Sequence, residues 1–127
     1  MGTQRAVAQR VDRSLLFDLY GPLLTERQRQ VWSLYWHEDW SLGEISEAVG
    51  VSRAAVHDTL ERAWQLLQWY ETRLGMASEH QRRVAALERL AAALGRAPAD
   101  WPGRTEAWQA WEQLAREEGL EGGGYNV

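Results

Sequence analysis

Apolar residues recur at three- and four-residue spacing along most of the chain, the period of helices buried on one side. The sharpest stretch is LGEISEAVGVSRAAVHDTLE, residues 42–61. Ser41-Leu42-Gly43-Glu44 has the S-x-x-E form of a capping box, and Ile45 and Val49 follow on one face at i and i+4. Gly50 stands where a helix ends in a left-handed residue, and Val51 plugs the turn. Ser52 is placed to cap a second helix with inward positions Val56, Leu60 and Ala63. Apolar residues inside, glycine in the turn and a polar cap after it are the physical needs of a helix-turn-helix. The outward face of its second helix is then Arg53, Ala54, His57, Asp58 and Glu61, the surface that a DNA reader lays in the major groove.

The same reading extends both ways. A first helix is expected over 12–20, with Leu15, Leu16, Leu19 and Tyr20 as its stripe, stopped by Gly21-Pro22. Thr25-Glu26-Arg27-Gln28 is a second capping box, with Leu24 as the N′ residue of a hydrophobic staple. The helix it opens runs to about His37, with Val31, Leu34 and Tyr35 inward and Trp32 and Trp36 beside them. The helix after Ser52 continues to Leu74 and stops at Gly75, with Leu67, Tyr70 and Leu74 prolonging its inner stripe and Trp64 and Trp69 on other faces. So broad an apolar surface calls for a second partner. A further helix over 78–95 has Ser78-Glu79-His80-Gln81 as a third capping box and a heptad-like pattern of Val84, Leu87, Ala91 and Leu94, widened by Leu90. The last helix, 105–118, presents Trp108, Trp111 and Leu114 or Ala115 on one side.

The expected organisation is all-α: a frayed tail over 1–11, a helix-turn-helix domain over 12–75 and a packing or dimerisation helix over 76–95. A Pro-bearing linker follows over 96–104, then the Trp-bearing helix over 105–118 and a Gly-rich disordered tail over 119–127. The length suits one domain, and no internal repeat is visible.

Charge changes the picture. The chain carries no Lys, so all 14 basic residues are Arg, against 18 acids, for a net charge of −4. Residues 1–11 hold two Arg and no acid; residues 12–75 hold six Arg against ten acids; residues 76–127 hold six against eight. The helix-turn-helix module is therefore itself acidic, which opposes sequence-independent binding to phosphates. The absence of Cys excludes disulfides, thiolate metal sites and a Cys nucleophile. His37, His57 and His80 fall in separate elements without metal-ligand spacing, and no phosphate-loop, dinucleotide or nucleophile-elbow motif occurs. An enzyme, a cofactor and a metal are not expected. Without a secretory signal or a membrane-length apolar run, a cytoplasmic protein is the expectation.

Ser52, Arg53, Ala54, His57, Asp58 and Arg62 are the candidates for contact with nucleic acid or a partner. Asp58 and Glu61 would repel phosphate, so a merely solvated face is the competing reading. Eight Trp residues invite base stacking, but helical spacing suits core or interface anchors better. Trp64, Trp69, Trp108 and Trp111 are the candidates for a protein interface.

LLFDLYGPLLTERQR, the segment 35–40 before Ser-Leu-Gly-Glu-Ile, and GVSRAAVHDTLERA together resemble the YlxM family of small bacterial helix-turn-helix proteins. The resemblance covers 15–75, about half the chain. His57 departs from it, since Tyr is more usual there, and nothing carries over beyond about Ala97. It implies a bundle like the promoter-reading C-terminal domain of sigma factors, to which the chain's own pattern adds a long fourth helix and a C-terminal helix. It also implies a homodimer, and an accessory role in the bacterial signal recognition particle pathway through the particle's GTPase, its RNA or both. A sequence-specific transcriptional regulator is the alternative, since the fold alone does not fix the ligand.

Overall fold

The computed structural model describes residues 13–120. Six α-helices account for most of them: α1 over 13–20, α2 Glu26–Trp36, α3 Leu42–Val49, α4 Arg53–Leu74, α5 Met76–Gly95 and α6 Arg104–Glu117. A short 3-10 turn, Gly21–Leu23, links α1 to α2. No strand occurs among the described residues, and none of their helices is long and apolar enough to cross a membrane. The fold is all-α, as expected. Asp12, the tail 1–11 and residues 121–127 lie outside the described residues. The chain divides into two compact units, one ending at Ala77 and one beginning at Ser78.

The first unit is built by local signals that agree with one another. Thr25 Oγ1 accepts from the Gln28 N–H at 3.1 Å and Gln28 Oε1 accepts from the Thr25 N–H at 2.9 Å, so the box that opens α2 is complete. The staple is not formed. The residue four into the helix is Arg29, whose guanidinium donates to the Leu24 carbonyl at 2.6 Å, while the Leu24 side chain enters the core. Between α2 and α3, Asp39 takes a left-handed φ of 61° and the Trp40 N–H returns to the Leu34 carbonyl at 2.9 Å. Asp is among the residues that tolerate that conformation.

Two apolar clusters fill this unit. Leu16, Tyr20, Leu24, Trp32, Ala63, Leu67 and Ala77 form one; Val31, Ile45 and Val56 form the other, and Leu60 packs against both. The Trp32 ring lies between Phe17 and Trp64, with centroid distances of 5.8 and 6.2 Å and near-parallel planes. Full burial of each large apolar side chain contributes about 1.5–3 kcal/mol. On α4, Val56, Ala63 and Leu67 are the buried stripe and Leu60 and Tyr70 border it. Leu74 does not join them: it is 56% exposed, because the helix ends one residue later at Gly75 in a left-handed C-cap.

The start of α5 departs from the sequence reading. The helix begins at Met76, so Ser78 lies inside its first turn rather than at a cap. The N–H groups that a helix start leaves without partners are served from elsewhere. Met76 N–H donates to the Tyr20 hydroxyl at 3.0 Å, Ala77 N–H donates to Glu71 Oε1 at 2.9 Å, and the Tyr20 hydroxyl donates to the same carboxylate oxygen at 2.7 Å. Burial, reinforced by the Glu71 carboxylate, raises the Tyr20 hydroxyl above its ordinary range and keeps it a donor.

The second unit is the rest of α5 with α6. Leu87, Leu94, Trp111 and Ala115 are its buried residues. Ala115, rather than Leu114, is the inward member of that pair; Leu114 is half exposed. The chain from Gly119 was expected to be tail, yet Gly119 and Leu120 close α6. Gly119 has φ 79°, its N–H bonds the Arg116 carbonyl at 2.9 Å, and the Leu120 N–H bonds the Ala115 carbonyl at 2.8 Å. This is a Schellman closure, completed by Leu120 packing on the α5–α6 core.

Candidate functional site

The α3–turn–α4 segment has the cap and turn chemistry of a helix-turn-helix. Ser41 Oγ accepts from the Glu44 N–H at 3.1 Å and Glu44 returns the bond to the Ser41 N–H at 2.9 Å. That bond to the Ser41 backbone, with the Ser41 hydroxyl adding, holds the exposed Glu44 carboxyl below its ordinary range. Gly50 adopts φ 75°, and the N–H groups of Gly50 and Val51 both reach the Ser46 carbonyl, at 2.9 and 3.2 Å. The Ser46 hydroxyl in turn donates to the Val51 carbonyl. Ser52 then caps α4, its Oγ accepting from the Ala55 N–H at 3.0 Å. Ile45 and Val56 are fully buried beneath the turn, and Val49 and Val51 pack beside them.

This construction presents Ser52, Arg53, Ala54, His57, Asp58, Glu61 and Arg62 to solvent. They do not make a basic surface. Arg62 Nε pairs with Asp58 Oδ2 at 3.0 Å along the helix. Arg53 lies back across α3: a Cβ on Gly43 would come within 3.0 Å of its Nη2. Asp58 and Glu61 stand on the same face, so a phosphate approaching it meets carboxylates as well as cations. The site has its sequence-expected residues in one place, but the position of Arg53 over Gly43 carries no local sequence signal.

The Trp candidates separate. Trp69 is 49% exposed, with the Arg73 guanidinium 3.8 Å from its ring centroid. Trp64 is half buried, in the stack with Trp32. Trp108 is half buried against the α5–α6 core. Trp111 is buried, and its Nε1–H donates to the Leu87 carbonyl at 2.8 Å, which makes it an interior anchor of α5–α6 and removes it from the exposed surface. Sequence reasoning missed Arg13, whose guanidinium carbon stands 3.9 Å from the Trp36 ring centroid and 5.3 Å from that of Trp64. These groups are brought together from three helices, so no spacing along the chain announces them. Among the described residues no cluster of His, Asp and Glu could hold a metal ion.

A family model described as "UPF0122: Putative helix-turn-helix protein, YlxM / p13 like" matches residues 7–98, which takes in α1 to α5 and ends before α6. A UPF0122 protein of Symbiobacterium thermophilum is 56% identical over 84 residues, covering 66% of this chain and 78% of the relative. One from Caldanaerobacter subterraneus is 44% identical over 77 residues, covering 61% of this chain and 66% of the relative. One from Desulforamulus reducens is 53% identical over 74 residues, covering 58% and 63%. The helix-turn-helix geometry and these matches agree: the chain belongs to the UPF0122, YlxM/p13-like family of helix-turn-helix proteins.

Proposed function

We propose that this protein is a cytoplasmic accessory component of the bacterial signal recognition particle pathway, binding the particle's GTPase, its RNA or both. Family membership is the starting point, with the role that the YlxM resemblance implies. The observation that carries the reading further is the charge on the outward face of α4, where Asp58 is paired with Arg62, Glu61 stands beside them and Arg53 lies over Gly43. Such a face suits a basic, RNA-binding protein better than naked duplex DNA, because complementary potentials steer association and like charges oppose it. A homodimer belongs to the same proposal, supported by exposed apolar side chains at Trp69, Leu74, Met76, Leu90 and Leu114. Light scattering at micromolar concentration tests it, and a monomer mass rejects it.

The second reading is a sequence-specific DNA regulator that uses Arg53, Ala54 and His57. It is favoured by the capped α3–turn–α4 geometry itself. One titration separates the two. The purified protein is measured against the GTPase with and without its RNA, and against random duplex DNA at two salt concentrations. Saturable binding to the GTPase or its RNA, with DNA binding weak and erased by salt, supports the first reading. Tight DNA binding that survives salt, with no affinity for the particle, overturns it.

A further inference from the structure

Beside the outward face of α4, helices α1, α2 and α4, with Leu42 of α3, line a half-open cavity of about 160 Å³. Its walls include Tyr35, Trp36 and Trp64, and His57 and Glu61 of α4 also line it. Arg13 forms part of the lining and sets its guanidinium over Trp36 at 3.9 Å, with the second indole, Trp64, at 5.3 Å. We propose that the cavity is a guanidinium-binding site whose resident ligand, Arg13, exchanges for an arginine side chain of a protein partner. The proposal deepens the partner-binding reading above and rests on it only for which protein supplies the arginine.

The chemistry favours this occupant. A guanidinium is planar and weakly hydrated, so it stacks on indole faces where an ammonium prefers water. Glu61 supplies a carboxylate to the same lining. Both features that recognise a cation are therefore present, and a guanidinium already stacks on one of the indoles in the wall. A nucleobase could also stack on these rings, but the phosphate attached to it would approach Glu61. The residues of α1 buried in the core are Leu16 and Tyr20, whereas Arg13 is half-buried, so exchanging its side chain leaves that anchorage in place. The cavity also shares His57 and Glu61 with the outward face of α4, so a partner lying across that face has an arginine's reach into it.

The test uses the full chain and acetyl-argininamide as probe, followed by the indole N–H resonances, with Trp36→Phe assigning its own signal. In Arg13→Ala the probe is expected to bind saturably and shift the Trp36 and Trp64 signals. In the native chain binding should be roughly tenfold weaker or more, because the tethered Arg13 competes at an effective concentration on the order of millimolar. Adding Glu61→Gln to Arg13→Ala should weaken the probe several-fold, and acetyl-lysinamide should bind more weakly than acetyl-argininamide. If Arg13→Ala does not fold, Arg13→Gln, which keeps a long stem, takes its place. A folded variant with no saturable shift overturns the proposal, and so does tighter binding of adenosine monophosphate than of acetyl-argininamide. The probe involves no component of the signal recognition particle, so failure here leaves the partner titration standing, and failure there leaves this site standing.

Discussion

The unit that ends at Ala77 closes on large side chains drawn from distant parts of the chain: Trp32 held between Phe17 and Trp64 with Tyr20 and Leu67 buried in the same cluster, and Val56 fully buried in a second. Among the described residues, the unit that begins at Ser78 buries only Leu87, Leu94, Trp111 and Ala115. It adds polar ties at its edges. His80 Nδ1 lies 2.7 Å from Glu118 Oε2, the Arg83 guanidinium donates to the other oxygen of that carboxylate, and Trp111 donates to the Leu87 carbonyl. The difference follows from size. Two helices enclose little apolar area, so the few polar contacts form a larger share of what holds them. The first unit depends instead on dense packing, and no polar or charged residue is buried in it among the described residues.

The largest expected break of this contrast is Trp32→Ala. It removes the middle ring of the stack and should cost about 3–5 kcal/mol in denaturant unfolding. Amide exchange in 78–120 should change far less than in 13–77; equal loss of protection in both would show that the two are one cooperative unit. Next is Trp111→Phe, which keeps most of the bulk and loses the bond to Leu87. Its cost should be about 1–1.5 kcal/mol, read as faster exchange confined to α5 and α6. Ser52→Ala should cost about 1 kcal/mol through the lost cap of α4, while Ser52→Gly should cost only a few tenths. Thermal unfolding of the three Ser52 forms checks the order.

The smallest expected effect is one of pH. Burial pushes the Glu118 carboxyl up, but bonds from Arg83 and His80 outweigh it and hold it below its ordinary value of 4.5. A carboxylate whose folded pKa is depressed contributes stability above its unfolded pKa and loses it as pH falls through the folded value. Exchange protection in α6 should therefore be unaffected by Glu118 titration above about pH 5 and decline below it. Glu118→Gln should flatten that decline. An equal decline in the variant would remove the carboxylate from the account.

How much of this was legible in sequence follows the same division. The boxes at Thr25 and Ser41, the cap at Ser52 and the stops at Gly50 and Gly75 all formed as read, since each is a contract among neighbours along the chain. The failures are non-local. Ser78 looked like a cap because the real caps, Tyr20 and Glu71, are brought to α5 only by folding. Leu74 fitted the periodic stripe but sits beyond the reach of the core. Gly119-Leu120 was hidden in a Gly-rich run, although a Gly followed by an apolar residue is itself a closure signal. In the candidate site the exposed face of α4 was legible from period alone. The folding of Arg53 over Gly43 and the meeting of Arg13 with Trp36 were not, because each joins two helices.

The borrowed cap of α5 has a consequence for the order of assembly. Its donors are met by a phenol 56 residues earlier and a carboxylate at the end of the preceding helix. The first turn of α5 should then be unable to mature until α1 has docked on α4, whatever the intrinsic helicity of the residues after it. A synthetic peptide of residues 76–95 should be frayed at Met76 and Ala77, and Tyr20→Phe should leave the central turns of α5 intact while loosening its beginning. On that expectation the long-range contact is a timer, linking the birth of one helix to the completed meeting of two others.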